Sequence, residues 1–345
     1  MLIAKYHQGL LNTVEQTTQQ LLALQNNTFF CPQCGKRVIL KIGTKITPHF
    51  AHQSKRCTGF TEGESAIHLL GKQQLYKWLQ SFGYVELEPL LPALMQRPDI
   101  LVTIKDQQYA IEFQCSPISV EQLTRRTEGY QQQNIIPIWL FLTPPLPQRM
   151  TKYPLKKMYK AGMQFTTQHI PFLMFYHPHT QKFTYLTNIL ALYGKQHIVK
   201  PQYITLNRQQ FPFFIPSPLS TLDEQTYTTI FMKAKQQYLQ NEWRFGKRHN
   251  NILFLSCYTL RISLFELPEY IGVPTAWQSV LPFPVVWQSA LHATAKLNDQ
   301  TIYDVELEPF LQHFTNHIPI AMQEMTRYLS RLNTEHNKKL TDYLQ

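Results

Sequence analysis

Residues 97–114 read RPDILVTIKDQQYAIEFQ. Polar and apolar residues alternate on either side of a polar stretch. This is the pattern of two short strands, Asp99 to Ile104 and Tyr109 to Gln114, joined through Lys105, Asp106, Gln107 and Gln108. A hairpin symmetric about that turn pairs Ile104 with Tyr109, and sets Asp99 across from Gln114 and Leu101 across from Glu112. Side chains alternate faces along a strand, so Asp99, Glu112 and Gln114 share one face. Ile100, Val102, Ile104, Tyr109, Ile111 and Phe113 form an apolar layer on the other. Like charges on paired strands repel. A divalent cation such as Mg²⁺, held by Asp99 and Glu112, is one way to offset that repulsion.

The flanking sequence extends the hairpin into a sheet. Residues 61–81 predict a helix on which Glu64, His68 and Lys72 recur every four residues and share a face. For Lys72 the spacing favours a solvated position. Tyr84 to Leu91 predicts a strand with Glu86 and Glu88 alternating against Val85 and Leu87. After the hairpin, Ser119, Val120, Glu121 and Gln122 make a capping box that opens a helix to about Gln132, carrying Arg125, Arg126 and Tyr130. Residues 135–142 (IIPIWLFL) are a nearly continuous apolar run, hence a buried strand. A strand–helix–strand crossover added to an antiparallel hairpin predicts a mixed sheet flanked by helices.

Upstream, residues 29–57 read FFCPQCGKRVILKIGTKITPHFAHQSKRC. Two residues separate Cys31 from Cys34, which lets both thiolates reach one Zn²⁺, and Gly35 permits the tight turn that follows. His49, His52 and Cys57 bring the candidates to five for four positions. The expected set is Cys31, Cys34, His52 and Cys57, with His49 as the alternative ligand. A closed set of four is structural, not catalytic.

Downstream, Pro144, Pro145 and Pro147 close the expected core. Residues 146–219 are read as an irregular basic connection, with apolar strands near Phe172 to Tyr176 and Phe183 to Leu186, in which Arg149, Lys152, Lys156, Lys157 and Lys160 interleave with Tyr153 and Tyr159. That combination suits phosphates and stacked bases, and equally suits a solvated linker face. Residues 220–345 are expected to be mainly helical, with a second basic cluster at Lys233, Lys235, Arg244, Lys247, Arg248 and His249. The aromatics Phe231, Tyr238, Trp243, Tyr258 and Phe265 are read there as core.

The 345 residues carry a formal net charge of +11. Such a basic excess fits a polyanionic partner, nucleic acid first, or simply solubility charge. The first residues lack the basic start and long apolar run of an export signal, and no apolar stretch reaches the length of a membrane span. Three of the five cysteines fall in one window, which suggests metal binding in a reducing cytoplasm rather than disulfides.

Glu64 on a helix, Pro98 with Asp99, and then Glu112, Phe113 and Gln114 resemble the PD-(D/E)xK nuclease superfamily, with Gln114 in the lysine slot. The fuller pattern is more specific. CPQCG at 31–35, HFAH at 49–52, ESAIH at 64–68, RPD at 97–99 and IEFQCS at 111–116, followed by a helix with Arg and Tyr, resemble the competence protein CoiA family over residues 1–142. The resemblance implies an α/β (α+β) fold. Its restriction-endonuclease-like core with a mixed sheet (61–145) follows a small zinc-binding β module (1–60). The basic connection (146–219) and a mainly helical region (220–345) come after.

It further implies a cytoplasmic protein that promotes recombination of imported DNA in natural transformation, acting on single-stranded or branched intermediates with a RecA-type recombinase and its loader. The implied chemistry is Mg²⁺- or Mn²⁺-dependent phosphodiester hydrolysis. Asp99 and Glu112 would hold the metal, with Glu64 as third carboxylate, His68 as ligand or proton shuttle, and Gln114 hydrogen-bonding the water. Ser116 would support the site, and Lys72 or Arg97 would supply the missing cation. Arg97, Arg126 or Arg125, Lys156 and Lys157 would contact DNA. The rival reading is an inactive nuclease fold serving as a zinc-containing DNA-binding adaptor.

Overall fold

The computed structural model describes residues 1–43, 46–53, 64–213, 216 and 218–332. Cys57 lies outside them.

The N-terminal module is a five-stranded antiparallel sheet. Its strands are β1 (Ile3–Tyr6), β2 (Gly9–Asn12), β3 (Phe29–Phe30), β4 (Arg37–Lys41) and β5 (His49–His52), ordered β2-β1-β3-β4-β5. The capped helix α1 (Thr18–Leu24) lies between β2 and β3. Alternation in β4 sends Val38 and Leu40 inward, where they meet Phe29, Cys31 and Phe50.

The central element is a nine-stranded mixed sheet. Between the helices α2 (Ala66–Leu79) and α3 (Val120–Gln132) run β6 (Tyr84–Leu87), β7 (Ile100–Ile104) and β8 (Gln107–Gln114), and β9 (Ile135–Leu142) follows. β6, β7 and β8 are antiparallel neighbours, and β9 lies parallel to β8. The expected order of helix, three strands, helix and strand is therefore observed.

The hairpin differs from expectation in its turn. Ile104 pairs with Gln107 and Ile100 with Ile111, so the loop is only Lys105 and Asp106. Lys105 takes the left-handed backbone (φ 52°) that two-residue hairpin turns use. The register shifts by two residues, which preserves the face of every side chain in the paired segment. Asp99 lies just before that segment and meets His68 and Lys72 of α2, while Glu112 meets Arg126 and Tyr130 of α3. The two carboxylates expected on one face therefore take partners on opposite helices.

Both faces of the sheet are covered. Leu69, Leu75 and Leu79 of α2 pack on Ile100, Val102, Ile111 and Phe113. On the reverse, Tyr130 of α3 packs with Leu101, Ala110 and Ile135.

The stretch 146–219, expected as irregular apart from strands near Phe172–Tyr176 and Phe183–Leu186, continues the same sheet, and both expected strands are present. β10 (Thr151–Pro154), α4 (Lys157–Ala161), β11 (Gln164–Phe165), β12 (Pro171–His177), β13 (Lys182–Ala191) and β14 (Gln196–Thr205) follow one another. β12 pairs parallel with β9, and the sheet then runs β12-β13-β14-β10. Two of the prolines sit where a sheet most readily tolerates them, whereas Pro201 lies within β14. Pro154 ends an edge strand and Pro171 opens a strand.

The C-terminal region is helical, as expected: α5 (Thr221–Phe245), α6 (Ile252–Leu260), α7 (Pro284–Leu297), α8 (Leu307–Gln312) and α9 (Ile318–Leu332). Tyr227 and Phe231 of α5 pack on Leu190 and Ile198 of the sheet, which joins this region to the core. Among the described residues no helix is long and apolar enough to cross a membrane.

Candidate functional site

A cleft of about 890 Å³ opens where the start of α2, the ends of β7 and β8, and the face of α3 meet. Glu64, His68, Lys72, Glu88, Arg97, Asp99, Glu112, Gln114, Ser116, Arg125 and Arg126 all line it.

Ser65 caps α2 by accepting from the His68 amide, which sets Glu64 just ahead of the first turn and His68 within it. His68 pairs with Asp99 through Nε2 at 3.1 Å, and its Nδ1 lies 3.9 Å from Glu64 Oε1. One donor atom from each of Glu64, His68 and Asp99 falls within a 4.8 Å cluster. The Phe113 amide donates to Asp99 Oδ2 at 2.9 Å. Burial pushes the Asp99 carboxyl up, but His68, Lys72 and the Phe113 amide outweigh it and hold Asp99 below the usual carboxylate range.

Lys72 is not on a solvated face. Its side chain is 1% exposed, and its ammonium donates to Glu64 and Glu88 and lies 3.5 Å from Asp99. The reason is positional. The α2 face that carries Glu64 and His68 turns toward the sheet edge, so the residue one turn on is carried under the cleft. In the sequence Glu88 reads only as part of a strand's alternation. The strand instead ends at Leu87, and Glu88 adopts a left-handed backbone (φ 51°) that breaks the alternation. Its carboxylate accepts from Lys72, Arg97 and the Leu2 amide. Burial raises the Glu88 carboxyl, and Lys72 and Arg97 more than reverse this. The Met1 α-amino group pairs with Glu64.

Glu112 projects toward α3. Its Oε1 accepts from Arg126 and from the Tyr130 hydroxyl, and it lies outside the Glu64–His68–Asp99 cluster while lining the same cleft. Burial and the neighbouring Asp99 charge push its carboxyl up to about 6 against the opposing effect of Arg126. Gln114 donates to the Ser116 carbonyl at 2.8 Å and to its hydroxyl at 3.2 Å, so Ser116 fixes the amide's orientation.

Of the residues expected to contact DNA, Arg97 is paired with Glu88 and its side chain is 9% exposed. Arg126 is engaged by Glu112 and the Arg97 carbonyl. Lys156 and Lys157 stand at the start of α4 and are not among the residues that line the cleft, with Lys156 5.8 Å from the Tyr159 ring.

In the N-terminal module, Cys31, Cys34 and His52 bring one donor atom each within 4.8 Å, with Cys34 Sγ 3.3 Å from His52 Nε2. Two sulfurs and an imidazole nitrogen are a donor set suited to zinc. His49, three residues before His52 on β5, points to the opposite face and meets the Thr47 carbonyl at 2.9 Å. Gln33, between the two cysteines, reaches the cleft, so the knuckle forms part of its rim.

Sequence comparison agrees with this architecture. The chain matches the family models for the competence protein CoiA N-terminal domain at residues 13–60, nuclease-like domain at 64–218 and C-terminal domain at 227–345. The competence protein CoiA of Bacillus subtilis (strain 168) is 33% identical across 79% of this chain and 74% of its own length. No solved structure matches. The nuclease-like match runs through β10–β14, in keeping with one continuous sheet. The C-terminal match covers a region where no motif anchors the resemblance.

Proposed function

Since the chain belongs to the competence protein CoiA family, we propose that it is a metal-dependent DNA nuclease serving recombination of imported DNA in natural transformation. Its substrates on this reading are single-stranded or branched intermediates in the cytoplasm, handled together with a RecA-type recombinase and its loader. The observation that carries the reading is the convergence of Glu64, His68 and Asp99 donor atoms within 4.8 Å at the floor of a cleft.

The two carboxylates suit Mg²⁺ or Mn²⁺, and the imidazole beside them favours Mn²⁺ of the two. Glu64, His68 and Asp99 would hold the cation, with the Glu112 carboxylate on the facing wall adding to the negative field. When bound, such a cation polarises a phosphate oxygen and acidifies a water. The rest is work for the chain's own side chains. Asp99, held in its ionised form, is an acceptor. Lys72 supplies positive charge from beneath the carboxylates, where the superfamily pattern would put it on β8. Gln114, oriented by Ser116, hydrogen-bonds a water without adding charge. Arg126 offers its guanidinium to a phosphate. Zinc held by Cys31, Cys34 and His52, with Cys57 as fourth ligand, would fix the rim of the cleft.

The test is cleavage of labelled single-stranded, duplex and branched DNA with Mg²⁺ or Mn²⁺. Cutting should disappear in Asp99→Asn and in Glu112→Ala. Failure of the wild type to cut any of these substrates with either metal overturns the enzyme reading.

A second reading, a DNA-binding adaptor on an inactive nuclease fold, draws on the internal pairing of the acids. Glu64 and Glu88 are met by Lys72 and Arg97, Glu112 is met by Arg126, and Gln114 is neutral. It expects salt-sensitive DNA binding that survives Glu112→Ala.

A further inference from the structure

The long helix α5 runs out in Trp243, Arg244, Phe245, Gly246, Lys247, Arg248 and His249, and all of these except Gly246 are exposed. Phe245 is 81% exposed and Trp243 49%. Three of the aromatics expected in the core, Trp243, Tyr258 and Phe265, are thus at the surface here, whereas Phe231 is buried. They belong to one patch. The Trp243 ring lies 6.1 Å from Phe265 and 6.3 Å from Phe254, and Tyr258 stands one turn beyond Phe254 on α6. The Arg248 guanidinium is 4.7 Å from the Trp243 ring centroid.

Leaving large rings in water forgoes their burial, and a patch of them marks an interaction surface. The charges say what kind. Arg244, Lys247 and Arg248 form no ion pair with any carboxylate among the described residues. A partner must therefore bring negative charge at several points and flat apolar faces between them. Single-stranded nucleic acid offers both: phosphates for the cations and unpaired bases for the rings. A duplex buries its base faces by stacking. The patch is also separate from the cleft, whose lining ends at Gln132.

We propose that the corner between α5 and α6 is a platform for single-stranded DNA. Bases stack on Trp243 and the neighbouring Phe265 ring, and phosphates lie on Arg244, Lys247 and Arg248. The platform goes beyond the nuclease reading and does not depend on it.

The test is fluorescence anisotropy of a labelled oligothymidine with the full chain, without added Mg²⁺ or Mn²⁺, across a salt series. Trp243→Ala should weaken binding about five- to a hundredfold, and Trp243→Phe much less, because one stacking ring is kept. Replacing Arg244, Lys247 and Arg248 by alanine should lower the salt slope by about 2, at ~0.7 per phosphate contact. Wild-type tryptophan fluorescence should be quenched on binding, and the quench should shrink in Trp243→Phe. Circular dichroism monitors folding, and the charge reversals Lys247→Glu and Arg248→Glu give a second, surface-only route. A protein that cuts nothing would remove the nuclease reading while leaving these binding results intact. Binding and quenching that persist unchanged through all the platform variants overturn the proposal, and would point to a protein partner on this patch instead.

Discussion

The Lys72 ammonium lies 3.5 Å from the Asp99 carboxylate, a cation from α2 set against an acid at the start of β7. Glu64 and Glu88 both accept from the same ammonium, so one buried charge compensates three acids at once. Removing one member of such a cluster leaves the others uncompensated in a poorly solvated place, at a cost of about 3–5 kcal/mol. Lys72→Met is therefore expected to lose about that much stability in urea unfolding. Mg²⁺ or Mn²⁺ should raise the variant's melting midpoint more than the wild type's, since the cation would replace the missing charge. Equal stability of variant and wild type would show that Lys72 is not the compensating group.

Glu112 gives a pH dependence of known sign. Its folded carboxyl sits at about 6, above the ordinary 4.5, through burial and the Asp99 charge. The folded protein thus holds this proton more tightly than the unfolded chain does. The resulting stabilisation is present below pH 4.5 and is lost as pH rises to about 6. Glu112→Gln cannot titrate, so the stability of the wild type relative to this variant should fall across that window. Asp99 acts with the opposite sign. Its depressed carboxyl contributes stability at neutral pH that is lost on acidification. Unfolding midpoints for the wild type and Glu112→Gln at pH 4.5 and 7, and for the wild type and Asp99→Asn at pH 7 and at a pH below the ordinary 3.8, separate the two, and a flat difference for Glu112→Gln would refute the first.

The knuckle makes a prediction about composition. If Cys31, Cys34, His52 and Cys57 close a tetrahedral site, the purified chain carries about one zinc. Cys34→Ser, His52→Ala and Cys57→Ser should each lower the zinc content measured by plasma mass spectrometry, while His49→Ala should not. Chelation should lower the melting midpoint of the wild type, because binding energy at such a site is folding energy. Zinc content unchanged in Cys57→Ser would exclude it as the fourth ligand.

How far these features can be read from residues alone depends on their range. The faces of the β7–β8 hairpin are legible because alternation is local, and a register slip of two leaves them unchanged. The turn is not, since Lys105 carries no glycine-like signal for its left-handed backbone. Glu64, His68 and Lys72 share a face by spacing, but whether that face meets water or the sheet depends on strands much further along the chain. Glu88 escapes for a related reason: its neighbours alternate and its backbone departs from the pattern only in the fold. β12 and β13 show as apolar runs near Phe172 and Phe183, whereas β10 and β14 hide behind prolines and lysines. What makes them sheet is pairing of β12 with β9, a contact that composition does not encode.

The seating of α2 on β8 supplies the remaining prediction. Gly71 lies on the helix one residue before Lys72, and a Cβ built there would fall 2.1 Å from Phe113 Cε1 and 2.7 Å from Cδ1. Phe113 is buried between α2 and Tyr176, with ring centroids 5.8 Å apart, so its ring has little room to retreat. Alanine favours a helix over glycine by ~1 kcal/mol. Overpacking a filled core costs about 1–3 kcal/mol. The clash is with the body of a core ring rather than a flexible end, so overpacking is expected to outweigh the helix preference. Gly71→Ala should be less stable than the wild type by up to about 2 kcal/mol, the difference of those two effects. Relief of the clash would lift α2 from β8 and separate Glu64 and His68 from Asp99. Mn²⁺ affinity, followed by calorimetric titration, should then weaken in Gly71→Ala although no candidate ligand has changed. A variant as stable as the wild type with unaltered Mn²⁺ binding would show that the helix does not need this close approach to hold the site together.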